Sequence, residues 1–265
     1  MTAYYNEIDP YAAQWLRNLI AGGHIAPGIV DERSIEDVTP NDLRGFTQCH
    51  WFAGIAVWSY ALRRAGWSDD KPVWTGSCPC QPFSAAGKGD GFADERHLWP
   101  HLHYLIEQCN PSVVFGEQVA SKDGLSWLDL VQTDLEASRY AVGAVDSCAA
   151  GFGSPHIRQR LYWVADRTHL QDRTHEGKSK AIDASPVTTG RCDFSSTSLP
   201  GKTNGFWSDC EWLRGVDGRL YPVESGSLPL VDGSTRRVGR ISAYGNGLVT
   251  GNAIAFIESF MEVTA

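Results

Sequence analysis

Up to about residue 165, short β-rich runs alternate with stretches in which apolar residues recur every three or four positions, and this alternation narrows the available folds more than any other feature. The β-rich runs are Ala3 to Asn6, His50 to Ala53, Pro72 to Gly76, Ser112 to Gly116, Tyr140 to Asp146 and Leu161 to Ala165. The helical stretches are Pro10 to Ala21, Ala56 to Ala65, Leu98 to Cys109 and Ser126 to Ser138. A strand followed by a helix returns to the sheet by a crossover, which makes neighbouring strands parallel and lays helices over the faces. The expected fold is therefore α/β, a doubly wound and mostly parallel sheet, in a domain spanning residues 1–165.

Beyond that domain the composition changes. From His169 to Asn204 it turns to Ser, Thr, Gly, Lys and Asp with few large apolar residues, which reads as a loop or partly flexible stretch. Phe206 to Glu224 follows, where Asp217-Gly218 between two β-prone runs suggests a hairpin. Residues 166–240 thus read as a short irregular region, and 241–265 as a segment returning to the first domain, with a closing helix over Gly251 to Met261.

The balance of 31 acidic against 23 basic residues gives a formal charge of −8, which counts against nucleic acid as a partner on average. Charge is local, however, and Arg158-Gln-Arg160 and Arg236-Arg237 with Arg240 are compact enough to line a cleft. Seven cysteines, an odd number, do not suggest a disulfide framework and fit a reducing compartment. Cys78 and Cys80 are separated by one residue with no second pair at finger-like spacing, so no structural metal is expected. The N-terminal residues lack a basic start and an apolar run, and no apolar stretch approaches the roughly 18 residues of a membrane span. The cytoplasm is the expected location.

Three runs carry chemistry. Gly76-Ser-Cys-Pro-Cys-Gln-Pro-Phe-Ser84 puts Cys80 on a proline-rich turn after a predicted strand, where α/β enzymes place reactive groups. On its own Cys80 reads equally as a small buried apolar residue. Val113-Val-Phe-Gly-Glu-Gln-Val119 puts Glu117 at the end of an otherwise apolar strand, where a carboxylate needs a partner or a task. Gly153-Ser-Pro-His-Ile-Arg-Gln-Arg-Leu-Tyr162 puts Arg158 and Arg160 at alternate positions entering a strand, so both face the same side. By itself the glutamate is also readable as a structural ion-pair partner of one of these arginines.

In this order and at these separations the three runs resemble the catalytic motifs of the DNA cytosine carbon-5 methyltransferase family. Pro79-Cys80-Gln81 is similar to its Pro-Cys-Gln nucleophile motif, Glu117-Gln-Val119 to its Glu-Asn-Val motif, and Arg158 with Arg160 to its Gln-x-Arg-x-Arg motif. Gly91-Phe-Ala-Asp-Glu-Arg-His-Leu98 resembles the stretch that helps hold the cofactor and the active-site loop. Phe52-Ala-Gly-Ile-Ala56 resembles the Phe-x-Gly-x-Gly cofactor loop, and Tyr244-Gly-Asn-Gly-Leu248 the Gly-Asn-Ala-Val motif. The resemblance implies a fold of the S-adenosylmethionine-dependent methyltransferase type, S-adenosyl-L-methionine as cofactor, and double-stranded DNA as substrate. It implies that Cys80 attacks carbon 6 of a flipped-out cytosine as a thiolate, that Glu117 contacts N3 and the exocyclic amine, and that Arg158 holds O2. Arg160 would support the loop or a phosphate. The variable segment between the arginine motif and the asparagine motif would read the DNA sequence, with Trp207, Trp212, Arg214 and Arg219 available for contacts.

The family's cofactor motifs stand here in a different order. Tyr5-Asn-Glu-Ile-Asp-Pro-Tyr-Ala12 resembles the motif after the second strand and Ser34-Ile-Glu-Asp-Val38 the motif after the third, yet both precede Phe52. If the sheet is conserved, the strand before Phe52 and the strand before Cys80 are neighbours. The resemblance implies that Glu7, Ile8, Ile35, Phe52, Gly54, Ile55, Pro79, Leu98 and Asn246 line the cofactor, with Glu7 on the ribose hydroxyls. Ala56 replaces the loop's second glycine, where its methyl would crowd a close backbone approach, and Ser34 replaces an aspartate. Two other functions stay open beside DNA methylation: a tRNA cytosine methyltransferase, and a catalytically silent homologue that binds DNA or a partner. A cognate restriction enzyme is the further partner considered, and a monomer is the expected state.

Overall fold

The computed structural model describes residues 3–79, 98–152, 158–168, 211–214, 220–223 and 248–264. The strands of the main body are β1 (Ala3–Asn6), β2 (Gly28–Asp31), β3 (Gln48–Trp51), β4 (Val73–Gly76), β5 (Val113–Val119), β6 (Ala141–Cys148) and β7 (Gln159–Asp166). The helices are α1 (Pro10–Ala21), α2 (Val57–Arg64), α3 (Trp99–Cys109), α4 (Lys122–Ala137) and α5 (Thr250–Val263). The strands form one seven-stranded sheet in the order β2-β1-β3-β4-β5-β7-β6. All run parallel except β7, which is antiparallel to both neighbours. The expected doubly wound, mostly parallel sheet is present.

Aromatic residues fill both faces of this sheet. On one face Tyr4, Trp51, Trp74, Val114 and Trp163 pack under α3 and α4 through Trp99, Leu102, Trp127 and Val131. Trp99 meets Trp127 and Trp163 edge-on at 5.7 and 6.1 Å between centroids, the arrangement that ring quadrupoles favour. On the other face Val73, Phe115 and Tyr162 pack under α2 and α5, while Ala3 and Tyr5 pack under α1. The alternation of Val113 through Phe115 between these two clusters is the strand period of two, with both sides buried.

The chain leaves β1 through α1 to β2 on one side, then crosses back to β3 on the other side of β1 and proceeds outward through β4 to β5. The direction of winding therefore reverses between β1 and β3, the point where open α/β sheets form a crevice at the carboxyl ends of their strands. β3 and β4 are parallel neighbours, with Trp51 opposite Gly76, as the rearranged motif order required.

Several boundaries differ from the sequence reading. β2 was not among the expected strands; it is an edge strand with only Ile29 and Val30 as β-formers between Pro27 and Asp31. β3 ends at Trp51 rather than Ala53 because Phe52 turns into the left-handed region at φ 52°. α4 begins at Lys122 rather than Ser126: Ser121 caps it by accepting the Gly124 N–H at 3.0 Å. Gly124 obscures that start in the sequence, but a side chain there would meet the Val119 carbonyl oxygen at 2.0 Å. β5 continues to Val119, since β7 supplies an antiparallel partner for Glu117, Gln118 and Val119. Glu117 thus lies inside the strand, not at its end.

Outside the main sheet, β8 (Glu211–Arg214) and β9 (Leu220–Val223) pair antiparallel, the hairpin expected around Asp217-Gly218; that dipeptide itself lies outside the described residues. Most of 166–240 also lies outside them, as do Trp207, Arg219 and the Arg236-Arg237 cluster with Arg240. No helix among the described residues is long and apolar enough to cross a membrane.

Candidate active site

Two groups of candidate residues stand at the carboxyl end of the sheet. The first lies at the winding reversal. Glu7 directly follows β1 and its backbone N–H donates to the Asp31 carbonyl, so its carboxylate is carried beside the loop that leaves β3. There it accepts the Gly54 N–H at 2.6 Å and the Asp9 N–H at 2.9 Å. The loop is left-handed at Phe52, Gly54 and Ala56, with φ of 52°, 53° and 64°. For Phe52 and Ala56 this conformation is strained, on the order of 1–2 kcal/mol each. Phe52 and Leu98 are half-buried against the aromatic core, Ile35 is buried within it, Ile55 is half-buried, and Ile8 and Pro79 are exposed.

The two substitutions noted in the sequence have structural counterparts. Ala56 is buried in the cluster of Ala3, Tyr5, Leu16 and Ile25, so its methyl occupies core rather than crevice. Ser34 caps the short 3-10 turn of residues 35–37 and faces Glu36, with Oγ 3.2 Å from its carboxylate. Asp31 is occupied: Tyr4 donates to it at 2.7 Å, and Arg33 grips both its oxygens through Nε and Nη2.

The second group gathers around β5 and β7. Register places Glu117 opposite Tyr162 and Val119 opposite Arg160, and the side chains of Glu117, Arg160 and Tyr162 share one face. Arg160 Nε donates to Glu117 Oε1 at 2.8 Å. Arg158 lies two residues before Arg160 and acts on Glu117 electrostatically from the same side. Burial pushes the Glu117 carboxyl above the usual carboxylate range, against the pull of Arg160, Arg158 and Ser77. Burial and the neighbouring Arg160 lower the affinity of Arg158 for its proton, while Glu117 and Tyr162 oppose them. A buried acid held next to two guanidinium groups can offer an acceptor or a proton to a polar ligand at one fixed place.

Ser77 and Trp58 were not singled out in the sequence, yet both belong to this group. Ser77 follows β4 immediately, and Trp58 Nε1 donates to its hydroxyl at 3.1 Å. The only sequence signal was the position of Ser77, one step past a strand in the run that carries Cys80. Gln118 takes the alternate face; it is buried, its Oε1 accepts the Val119 N–H at 2.9 Å, and its Nε2 has no hydrogen-bond partner among the described residues. Cys80 and Asn246 lie outside the described residues. Pro79, directly before Cys80, is placed at the same carboxyl edge, after Ser77 and the buried Cys78.

Residues 68–197 match the model of the C-5 cytosine-specific DNA methylase family. The chain is 32% identical over 105 residues to the type II methyltransferase M.HhaI of Haemophilus parahaemolyticus, which covers 38% of this chain and 32% of that protein. It is 36% identical over 104 residues to the type II methyltransferase M.PspPI of Psychrobacter sp. (strain TA137), covering 37% of this chain and 25% of that one. The chain thus spans about a third of the length of the curated relatives it matches. Among solved structures, a Spodoptera frugiperda DNMT2 mutant shares 19% identity at a TM-score of 0.43, covering 63% of this chain and 43% of that one.

Proposed function

We propose that this chain, whose residues 68–197 match the model of the C-5 cytosine-specific DNA methylase family, transfers a methyl group to carbon 5 of a cytosine flipped out of double-stranded DNA. The observation that carries the proposal is the half-buried Glu117–Arg160 pair beside Arg158, at the same carboxyl edge of the sheet as Pro79. S-adenosyl-L-methionine, when bound, supplies the electrophilic methyl group.

The residues at the winding reversal suit that cofactor. The Glu7 carboxylate and the backbone of the Phe52–Ala56 loop form a polar corner fit for a ribose diol. Phe52 and Leu98 offer an apolar rim for a base, with Ile35 buried behind them and Ile8, Ile55 and Pro79 beside them. Asn246 belongs to the same set by resemblance.

In the proposed reaction the Cys80 thiolate adds to carbon 6 of the cytosine, because carbon 5 alone is too weak a nucleophile. Glu117 stabilises the ring as sulfur adds, through N3 and the exocyclic amine, and its raised proton affinity suits donation to N3. Arg158 holds O2, and Arg160 keeps the Glu117 carboxylate in place. After transfer the proton on carbon 5 is removed and the carbon–sulfur bond breaks, regenerating the cysteine and the aromatic ring. Residues 166–240 would read the sequence around the target.

The test is transfer of labelled methyl from S-adenosylmethionine to unmethylated duplex DNA of mixed sequence, native chain against Cys80→Ser. Label in DNA that disappears with the substitution supports both the reaction and the nucleophile. Label in tRNA instead would move the reading to the RNA substrate, and absence of cofactor binding would leave only a silent homologue.

A further inference from the structure

We propose that Trp58 and Ser77 are positioning residues that fix the carboxyl group of Glu117. The starting point is strand register. β4 and β5 are parallel with Thr75 opposite Phe115 and Gly76 opposite Gly116, and Ser77, just past the end of β4, and Glu117 each follow one residue on. Side chains alternate across the sheet, which sends both to the face occupied by Phe115 and α2. Ser77 thus stands one strand spacing from Glu117, and its hydroxyl interacts with that carboxyl.

The direction of the interaction follows from chemistry. An indole N–H only donates, so when Trp58 Nε1 approaches Ser77 Oγ at 3.1 Å the serine oxygen must be the acceptor. The single hydroxyl proton is then left for the group on its other side, and that group is Glu117. Trp58 cannot swing away: it is 6% exposed, stacked on Phe115 at 5.9 Å and set edge-on to Tyr162 at 6.0 Å. The carboxyl group is therefore gripped from two strands, by Arg160 across β7 and by Ser77 across β4.

Trp58 also lies in the first turn of α2, directly after the strained Phe52–Ala56 loop. The loop is thereby joined to Glu117 through one packed side chain and one hydroxyl. The effect on methyl transfer rests on the function proposed above; the effect on Glu117 itself does not.

The test uses the full chain with 13C-labelled glutamate, the Glu117 carboxyl signal being assigned by its loss in Glu117→Gln. In Ser77→Ala the titration midpoint of Glu117 moves to higher pH, because a donor to the charged form is gone; in Ser77→Thr, which keeps the hydroxyl, it returns. In Trp58→Phe, which keeps a ring in the cluster, it moves the same way by less. In the methylation assay Ser77→Ala lowers kcat roughly tenfold and shifts the alkaline limb of its pH profile, where the Glu117 proton is lost, upward, with KM for the cofactor unchanged. A Glu117 midpoint that stays put in both Ser77→Ala and Trp58→Phe overturns the proposal, as does a Ser77→Thr chain that behaves like Ser77→Ala. If the native chain transfers no methyl, the enzyme reading fails, and the titration still decides the relay.

Discussion

Glu117 and Glu7 stand near the carboxyl ends of two strands in one sheet, three strand positions apart or roughly 14 Å, and their surroundings differ in kind. Glu117 is enclosed by side chains: Arg160, Arg158, Ser77 and Tyr162, with aromatic rings behind them. Glu7 is half-exposed and, among the described residues, held by the backbone N–H groups of Gly54 and Asp9. One half of the crevice is rigid because rings and ions leave no room. The other is fixed by backbone conformation, and none of the described residues crowds its Gly54. The first suits a group whose charge must be set, the second a surface that receives a ligand.

The largest expected difference is in the carboxylates themselves. Glu117→Gln removes the charge that balances Arg160 and Arg158 and the proton exchange the proposed chemistry needs, so kcat for methyl transfer should fall by about 10²–10⁴-fold. Glu7→Gln keeps an acceptor for one backbone N–H, and the expected change is about a tenfold weaker Kd for S-adenosylmethionine with kcat little altered. Calorimetric cofactor titration and steady-state kinetics on both variants separate the two. A loss of kcat at Glu7 matching that at Glu117 would break the division of labour.

The division was only partly legible in the sequence. Glu117 was found because a carboxylate in an apolar run stands out, Arg158 and Arg160 because a period of two turns them to one side, and Glu7 through the resemblance of its run to a cofactor motif. The extension of β5 past Gly116 was not legible, since it depends on pairing with β7, more than forty residues later in the chain. Nor was the Glu117–Arg160 pair distinguishable from a Glu117–Arg158 pair, because both arginines alternate to the same side. Ser77 and Trp58 are ordinary residues whose meeting depends on how α2 packs against β4. The left-handed backbone at Phe52 and Ala56 was hidden for another reason: neither residue advertises positive φ, and the loop imposes it against their preference.

A pair of glycines tests the same contrast through stability. At Gly116 an added Cβ would lie 2.1 Å from the Trp163 ring, which is fully buried between Trp99 and the strand. Gly116→Ala should therefore cost about 3 kcal/mol or more, since neither the ring nor the strand can retreat. At Gly54 none of the described residues lies within 4 Å of the added atom, and the positive φ of 53° opposes it. Gly54→Ala should cost about 1 kcal/mol. Urea unfolding of the two variants measures both, and equal losses would mean that the loop is as tightly packed as the strand.

The smallest effect is expected at Ala56, and its sign is informative. Replacing it with glycine relieves left-handed strain of roughly 1–2 kcal/mol. Against this, glycine adds unfolded-state entropy of about 0.5–1 kcal/mol, and the lost methyl removes about 0.8 kcal/mol of burial in the Tyr5–Leu16 cluster. The contributions nearly cancel, so unfolding free energy should change by less than about 1 kcal/mol. Because the methyl occupies core and not crevice, cofactor Kd should stay within about twofold, which is below about 0.5 kcal/mol. A tenfold gain in affinity for Ala56→Gly would show that the loop, not the Glu117 cage, is the more strained half of the site, and that the residue at 56 limits how closely a ligand approaches.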